Sequence, residues 1–310
     1  MPGIGIIANP HSKSNIRSPG ELRRIAEKLG DRGTLAITQD LDSLDRTLEE
    51  FKRQKIDTLA LNGGDGTISQ AITRLIKLYG NEPLPRIAVL RGGTMNLVAS
   101  QLGVKGRPSD IVERLVEAHQ DPEKLNVENL STLKVNDVYG FLYADQSSTS
   151  ILEEFYRKKS GHVGAGILSL RLIRSFLLRG PLIRKMIRPH QLRAEFQPLG
   201  KVHQPALGCF AGTITKFPMG LPFLPLAREK PGHFQTTIVT CRAEEVLWYL
   251  PLIMLQQNEG MAYGKHSFCC KEAELEYEDS VHYTVDGEIY RNAKGKVSIE
   301  AGPEIPFLKI

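Results

Sequence analysis

The chain has 310 residues, of which 41% are hydrophobic and 24% are charged, and its formal net charge is +5. This balance excludes a disordered chain, and the length suits two domains of ordinary size. No apolar run approaches the roughly 20 residues that span a bilayer, and the first residues do not resemble a signal peptide, so we expect a cytoplasmic protein. The four cysteines lack metal-ligand spacing and are expected to be reduced thiols: Cys209, Cys241, Cys269 and Cys270.

Strand-like and helix-like patterns alternate through the first third of the chain. Apolar runs predict strands at residues 4–8, 34–38, 56–61 and 86–90. Apolar positions spaced by three and four residues predict helices after each of them. Strict alternation of strand and helix predicts βαβ units around a mostly parallel, Rossmann-like sheet. We therefore predict an α/β domain over residues 1–128.

The pattern changes after about residue 128. The pair Asn136-Asp137 separates two short apolar runs, 133–135 and 138–141, and predicts a hairpin. Further strands are predicted at residues 206–214, 234–241, 268–277, 281–285 and 296–300, with helices within 166–178 and 243–257. These features predict a β-rich, antiparallel second domain over residues 129–310. Its last residues, about 303–310, are candidates to pack back on the first domain.

Two glycine-rich turns follow neighbouring strands of the predicted parallel sheet. Asn62-Gly63-Gly64-Asp65-Gly66-Thr67 leaves the third strand, and Gly92-Gly93-Thr94-Met95-Asn96 leaves the fourth. Ligands of open α/β sheets bind at this carboxyl edge, where glycine backbones and helix N-termini suit phosphate. Neither turn is a Walker loop or a dinucleotide-binding fingerprint. A tight turn that only joins strand to helix is the alternative, and two such turns side by side favour a phosphate site over it.

A single acid, Asp65, lies inside the first glycine turn. A carboxylate repels phosphate unless it binds a Mg²⁺ ion that bridges phosphate oxygens or accepts a proton from an attacking hydroxyl. The alternative without a role in chemistry is that Asp65 caps the helix that follows.

At this point the motifs resemble a known family. N-G-G-D-G-T at residues 62–67 is similar to the signature of the diacylglycerol kinase catalytic domain, shared with sphingosine kinases and, more distantly, NAD kinases. Asn9-Pro10-His11-Ser12 resembles the family's N-P-x-[SA]-G, and Thr38 stands where the family often has threonine. Gly93-Thr94-Met95-Asn96 matches G-T-x-N, and Val285-Asp286-Gly287-Glu288 matches V-D-G-E.

The resemblance implies an ATP-dependent lipid kinase in which a nucleotide-binding α/β domain and a β-sandwich lipid domain enclose a cleft. It implies ATP and Mg²⁺ as cofactors. The residues expected to hold the nucleotide are Asn9, Ser12, Thr38, Asn62, Gly63, Gly64, Gly66, Thr67, Gly92, Gly93, Thr94 and Asn96.

The resemblance also implies three catalytic acids. Asp65 would act at the transferring phosphoryl group, through Mg²⁺ or as a base. Glu288 matches the favoured general base of the bacterial members, with Asp286 as a supporting acid. By itself, Asp286-Gly287 is also a good hairpin turn. The sequence leaves open whether Asp65 or Glu288 is the base.

A basic stretch without Asp or Glu runs from Phe155 to Ala194. Basic residues interleaved with large apolar ones suit an anionic membrane surface, although a solvated helix face backed by a core face gives the same pattern. No nucleic-acid motif accompanies the charge. We expect transient membrane contact, and the sequence allows a homodimer. The expected contact residues are Arg171, Arg174, Arg179, Arg184, Lys185 and Arg188.

The chain departs from the family at several positions. Leu97 replaces the acid after G-T-x-N, and Lys13 replaces the glycine of the first motif. Pro231-Gly232 stands where bacterial members have an Asp-Gly that helps hold a structural Mg²⁺, and the glycine triplet before Pro225-Leu226-Ala227 is reduced to Pro218-Met219-Gly220. Two other functions therefore stay open: a kinase of a soluble alcohol, and a non-catalytic nucleotide- or lipid-binding regulator.

Overall fold

The structure is a computed structural model that describes residues 3–93, 95–121, 125–157, 187–216, 224–240, 242, 245, 260–262 and 265–310. Thr94, Cys241, the helix predicted within 166–178 and all but residue 245 of the helix predicted within 243–257 lie outside these residues. Cys209, Cys269 and Cys270 are buried free thiols. In the ranges described, none of the helices has the length and apolar character needed to cross a membrane.

Strands and helices alternate through the first part of the chain, as predicted. In order they are β1 (Ile4–Ala8), α1 (Lys13–Arg17), α2 (Glu21–Leu29), β2 (Gly33–Ile37), α3 (Leu41–Arg53), β3 (Thr58–Asn62), α4 (Asp65–Tyr79), β4 (Arg86–Val89), α5 (Leu97–Leu102) and α6 (Pro108–His119). The sequence did not predict α1 and α5, because helices of five and six residues are too short to show a period.

The four strands of this part are parallel and lie in the order β2-β1-β3-β4. Every residue of β1 and β3 is buried, since helices cover both faces of a parallel sheet. The chain steps from β1 to β2 on one side and then returns to β3 on the other. A ligand site is expected where the direction reverses, at the carboxyl ends of β1 and β3.

The second part is mainly antiparallel, as predicted. Its elements are β5 (Val127–Val135), β6 (Val138–Gly140), β7 (Leu142–Asp145), α7 (Ser147–Arg157), β8 (His190–Gln197), β9 (Gly200–Ala206), β10 (Gly208–Gly212), β11 (Phe234–Val239), β12 (Gly260–Ala262), β13 (Lys265–Cys270), β14 (Glu272–Tyr277), β15 (Val281–Val285), β16 (Glu288–Asn292) and β17 (Lys296–Leu308). The hairpin predicted at Asn136-Asp137 is present, with Val135 paired to Val138.

One strand prediction is wrong. Residues 268–277, predicted as a single strand, form parts of β13 and β14, which belong to different sheets. At the break, the N–H of Lys271 donates to the carbonyl of Gln197. Every second residue faces the core up to Cys270, and the alternation resumes at Ala273, one position out of step. Because Cys269 is also apolar, the sequence does not show this change. The sequence also missed β7, β8, β9, β12 and α7, and it ended β17 too early.

In the second part of the chain, a hydrophobic core lies between two sheets. The first has the path β2-β1-β3-β4-β17-β14-β8-β9, with β5 paired to β17 and β6. The second has the order β12-β13-β11-β10-β7-β15-β16. Phe196 and Leu275 from the first sheet pack with Tyr143, Phe234 and Tyr283 from the second. The end of β17 pairs in parallel with β4, Phe307 opposite Ile87. The border predicted at residue 128 stays a prediction.

Candidate functional site

Three loops meet at the carboxyl edge of the parallel sheet, where β1, β3 and β4 end. The N–H of Asn9 donates to the carbonyl of Asn62 at 2.9 Å, and the Asn9 side-chain amide donates to Thr67 Oγ1 at 3.0 Å. The N–H of Ser14 donates to the carbonyl of Gly92 at 3.2 Å. The first motif and both glycine turns therefore form one connected edge, as the sequence predicted.

The two glycine turns touch backbone to backbone. A Cβ on Gly93 would lie 2.6 Å from the Cα of Gly64, and a Cβ on Gly92 would lie 2.7 Å from the nitrogen of Gly63. Contacts this short leave no room for a side chain. These glycines are therefore required for the close approach of the turns, apart from any ligand.

Asp65 joins the two turns through its side chain. It is the first residue of α4 and only 7% exposed. One carboxylate oxygen accepts the N–H of Asn96 at 2.9 Å, and the other accepts the N–H of Leu97 at 2.6 Å. Burial raises the pKa of Asp65 above its ordinary value, and these N–H groups oppose the rise. Asp65 thus caps α5, the helix after the second turn.

The N-terminus of α4 has no such cap. Its N-cap residue is Gly64, which has no side chain to accept an N–H group of the first turn. Two buried polar atoms at the same edge, Ser12 Oγ and Asn62 Oδ1, have no hydrogen-bond partner among the described residues. An uncapped helix N-terminus beside orphaned polar atoms fits an anionic ligand such as a nucleotide phosphate.

The second turn is braced by Asn96. This residue has a positive φ of 50°, and its side-chain amide accepts from the N–H of Gly93 at 3.1 Å and donates to the Gly93 carbonyl at 3.0 Å. Asn96 therefore fixes the turn from inside. Thr94, between them, lies outside the described residues. Thr38 is buried at the end of β2, and its N–H donates to the carbonyl of Ala8 at 3.0 Å.

Sequence reasoning missed one residue of this edge, Asn15 in α1. It is buried, donates to the carbonyl of Asn9 at 2.7 Å, and accepts from the side-chain amide of Asn62 at 3.2 Å. It links the first motif to the first glycine turn. No sequence signal marks it, because an asparagine in a polar stretch looks exposed.

Asp286 lies in the tight hairpin between β15 and β16. Asp286 and Gly287 both have positive φ, 51° and 87°, which is typical of a type I′ turn. The carboxylate is buried and accepts the N–H groups of Phe141 at 3.0 Å and Leu142 at 2.9 Å. Burial raises the pKa of Asp286 to about 8; the N–H of Phe141 opposes the rise, and the nearby charge of Asp65 adds to it. The two acids therefore lie close enough to interact.

Glu288, the first residue of β16, lies directly against the first glycine turn. A Cβ added to Gly66 would overlap the Glu288 carboxylate oxygen and would lie 2.6 Å from its Cγ and Cδ. Unlike Asp65 and Asp286, Glu288 is exposed. The fold thus places the V-D-G-E motif against the N-terminus of α4 and brings all three predicted acids to one cleft.

The metal prediction needs a separate test of fit. Among the residues that the structure describes, no three histidine, cysteine or acidic side chains are grouped to hold a metal ion. Mg²⁺ commonly binds through one or two carboxylates together with substrate phosphates, and the acids of the cleft meet that smaller requirement. The ligand role of Asp65 stays a prediction. Pro231 supplies no carboxylate, and its carbonyl is 2.9 Å from His233 Nδ1.

The structure describes one of the six residues that were predicted to contact a membrane. Arg171, Arg174, Arg179, Arg184 and Lys185 lie outside the described residues. Arg188 is described, and it lines a polar cavity with His190 and His282.

A comparison with protein families supports the motif reading. The family model of the diacylglycerol kinase catalytic domain matches residues 4–126, which confirms the resemblance for this segment. Curated relatives named "Probable lipid kinase YegS" are 30% identical over 107 residues in Escherichia fergusonii and 29% identical over 107 residues in Shigella flexneri. Each alignment covers 34% of this chain, and it spans about a third, 34%, of the relative's own length.

Solved structures resemble the whole chain. A diacylglycerol kinase from Bacillus anthracis str. Sterne has a TM-score of 0.68 and 15% identity, and a putative diacylglycerol kinase from the same organism has 0.71 and 16%. Each match covers 99% of this chain and 96% of the other. At such identity the likeness concerns the fold, and it confirms the predicted fold class.

Proposed function

Because residues 4–126 match the diacylglycerol kinase catalytic domain, we propose that this chain is an ATP-dependent lipid kinase. It would transfer the γ-phosphoryl group of ATP to the hydroxyl of diacylglycerol or a related lipid alcohol. The observation that carries the proposal is the contact between Glu288 and Gly66, which puts an exposed carboxylate beside the uncapped N-terminus of α4.

In this proposal the phosphates of ATP bind to the first glycine turn. The free N–H groups and positive end of α4 attract them, and Ser12 Oγ supplies a hydroxyl donor that has no other partner among the described residues. The N-terminus of α5 contributes less, because the carboxylate of Asp65 already accepts two of its N–H groups. Asp65 therefore serves mainly to hold the two turns together.

Glu288 is the proposed general base. Its carboxylate accepts the proton of the lipid hydroxyl as that oxygen attacks the γ-phosphorus, and the bond from the γ-phosphorus to the β-phosphate oxygen breaks to release ADP. When bound to the phosphates, Mg²⁺ would neutralise their charge. The buried Asp286 holds the backbone of Phe141 and Leu142, and it thereby fixes the hairpin from which Glu288 projects.

The basic stretch 155–194 extends the proposal to the membrane. A kinase of a membrane lipid must reach its substrate at the surface, and basic residues interleaved with apolar ones favour anionic bilayers. Transient binding to anionic vesicles is therefore part of the proposed function.

The test is phosphorylation of lipid alcohols in detergent micelles with ATP and Mg²⁺. We expect the wild type to phosphorylate diacylglycerol or a related lipid alcohol. Glu288→Gln should lower kcat by about 10²- to 10⁴-fold, as loss of a general base does, and should leave the Kd for ATP within a few-fold.

Glu274→Gln is the matched control, because Glu274 is an exposed acid on β14, which belongs to the other sheet. It should keep wild-type turnover. Unchanged turnover in Glu288→Gln would rule out Glu288 as the base. Turnover of a soluble alcohol but no lipid would support the soluble-substrate alternative, and nucleotide binding without any turnover would support a regulator.

A further inference from the structure

The polar cavity that Arg188, His190 and His282 line lies at the opposite end of β15 from Asp286. Its volume is about 230 Å³. His282 lines the cavity, and Asp286 is four residue steps further along an extended strand, a distance of about 13 Å. The start of α7, the residues leading into β8, and the turn from β14 to β15 enclose it. The cavity is therefore distinct from the cleft that holds the three acids.

Gln146, the residue directly before α7, is the most informative part of the lining. It is 6% exposed, and its side-chain nitrogen has no hydrogen-bond partner in the part of the chain described. Its backbone is fixed, because its N–H donates to the carbonyl of His282 at 2.8 Å and its carbonyl accepts the N–H of Ser150 at 3.0 Å. A buried donor without an acceptor is costly, so this one needs an acceptor from a molecule that enters the cavity.

The rest of the lining is rich in donors. Arg188 supplies a guanidinium, and Ser150 and Ser280 supply hydroxyls. Gln146 and Ser150 lie at the N-terminus of α7, a helix of 11 residues, whose positive end adds to the attraction for an anion. Asp279 is the one acid among these lining residues.

His190 adds charge that depends on pH. Burial lowers the pKa of His190; Asp279 opposes this, and Arg188 and His282 add to it. Outside the cavity, Glu153 of α7 lies 3.7 Å from His282 Nδ1 and accepts from Arg291 of β16 at 2.9 Å. An anion beside His190 would favour its protonated form. Binding should therefore strengthen as the pH falls.

We propose that this cavity is a second binding site, which takes a phosphate group carried by a soluble phosphomonoester or by a lipid headgroup. The donors suit phosphate oxygens, and the arginine supplies a planar, charged fork. The volume is several times the roughly 30 Å³ of one water in the liquid, so the site also holds part of the molecule that carries the phosphate.

The first experiment measures binding of inorganic sulfate to the full chain by thermal stability and titration calorimetry, against chloride at equal ionic strength. Sulfate remains a dianion between about pH 6 and about pH 8, so any change in its affinity reports the protein. We expect saturable binding that is tighter at the lower pH.

Two variants test the lining. Arg188→Gln should weaken sulfate by about tenfold or more, whereas Arg193→Gln, at an exposed position on β8, the strand that follows Arg188, should not. Gln146→Met should also weaken sulfate. It should not lower the melting temperature of the unliganded protein, because it removes a donor that has no partner in the described part of the chain.

Two further experiments distinguish a soluble phosphomonoester from a lipid headgroup. Soluble glycerol 3-phosphate that competes with sulfate in an Arg188-dependent way indicates a free phosphomonoester. Co-sedimentation with phosphatidylcholine vesicles that requires added phosphatidic acid and Arg188 indicates a headgroup. Either result supports the site. A sulfate effect that does not saturate, or that is the same in Arg188→Gln and Arg193→Gln, overturns it.

Discussion

Three carboxylates in one cleft have three different environments. Asp65 accepts N–H groups from Asn96 and Leu97, and Asp286 accepts them from Phe141 and Leu142. Both are buried. Glu288 is exposed and lies against Gly66. A carboxylate held by backbone donors is well placed to fix loops, whereas an exposed one is free to meet a substrate hydroxyl. The environments therefore favour Glu288 for proton transfer and the other two for positioning.

The buried state of Asp286 predicts a pH dependence of stability. Its pKa is raised from 3.8 to about 8 on folding. Between these values the folded state keeps a proton that the unfolded chain has released. Its stabilising contribution is therefore full below about pH 4 and is lost as the pH rises through about 8. Asp286→Asn, which keeps an acceptor for both N–H groups, should remove this contribution.

Urea denaturation of both proteins across this pH range is the measurement. The free energy of unfolding of the wild type minus that of Asp286→Asn should fall on the order of a few kcal/mol between about pH 5 and about pH 9. Asp145, whose pKa burial raises to about 6, is present in both proteins and largely cancels. A difference independent of pH would contradict the assignment.

At the scale of single elements, α4 connects the nucleotide side of the cleft to the strands of the second part. It starts in the first glycine turn. Further along, Ser69 and Thr73 donate to the carbonyl of Tyr139 at 2.7 Å and 3.2 Å, and Gln70 donates to the hydroxyl of Tyr290 at 3.2 Å. Because one rigid helix holds both the turn and β16, their relative positions are fixed.

Replacing glycine by alanine at the two ends of α4 should have opposite effects on stability and turnover. Gly66→Ala would overlap Glu288, whose exposed side chain rotates away at little cost. The unfolding free energy should change by less than about 1 kcal/mol, while kcat falls by about tenfold to a hundredfold.

Gly80→Ala is the matched control at the C-terminal end. Gly80 has a positive φ of 56° and no neighbour near its Cβ position. This variant should lose about 1 kcal/mol of stability and keep its turnover. Denaturation and kinetic assays of both variants measure the contrast, and wild-type kcat in Gly66→Ala would show that the position of Glu288 does not matter.

On the scale of the whole molecule, β17 joins the two parts. Its first residues pair with β14, most of its length pairs with β5, and its end pairs with β4. A register shift between Ala301 and Glu304 lets one strand follow both regions. Phe307 near its end is fully buried and contacts Phe141 edge to face, with ring centres 5.8 Å apart. The cleft therefore depends on the last residues of the chain.

Phe307→Ala should lower the unfolding free energy by about 3 to 5 kcal/mol, since it leaves a cavity between the two parts. Hydrogen exchange should show lower protection in both β1 and β14, because β17 couples them. Phe307→Leu, which keeps most of the volume, should cost less than about 1.5 kcal/mol. Loss of protection in β1 alone would mean that the two parts unfold independently.

Local features of the chain were readable from the sequence. Apolar periodicity predicted β1 to β4 and the helices α2, α3 and α4 between them, glycine and acid patterns predicted the two phosphate-type turns, and Asp286-Gly287 predicted a hairpin. Each depends on residues that are neighbours in sequence. The family motifs added the expectation that the first turn and the V-D-G-E hairpin face one cleft.

Tertiary structure decided everything that depends on contacts between distant residues. Only the fold shows that Asp65 caps α5, that Asn15 links Asn9 to Asn62, and that Glu288 lies against Gly66. The cavity around Gln146 also draws its lining from separate parts of the chain. The sequence thus determined which chemical groups the cleft has. The packing of α4 and β17 decided which of these groups are buried and bonded to backbone N–H groups, and which one stays exposed. The sequence alone does not show this, because burial follows from long-range contacts.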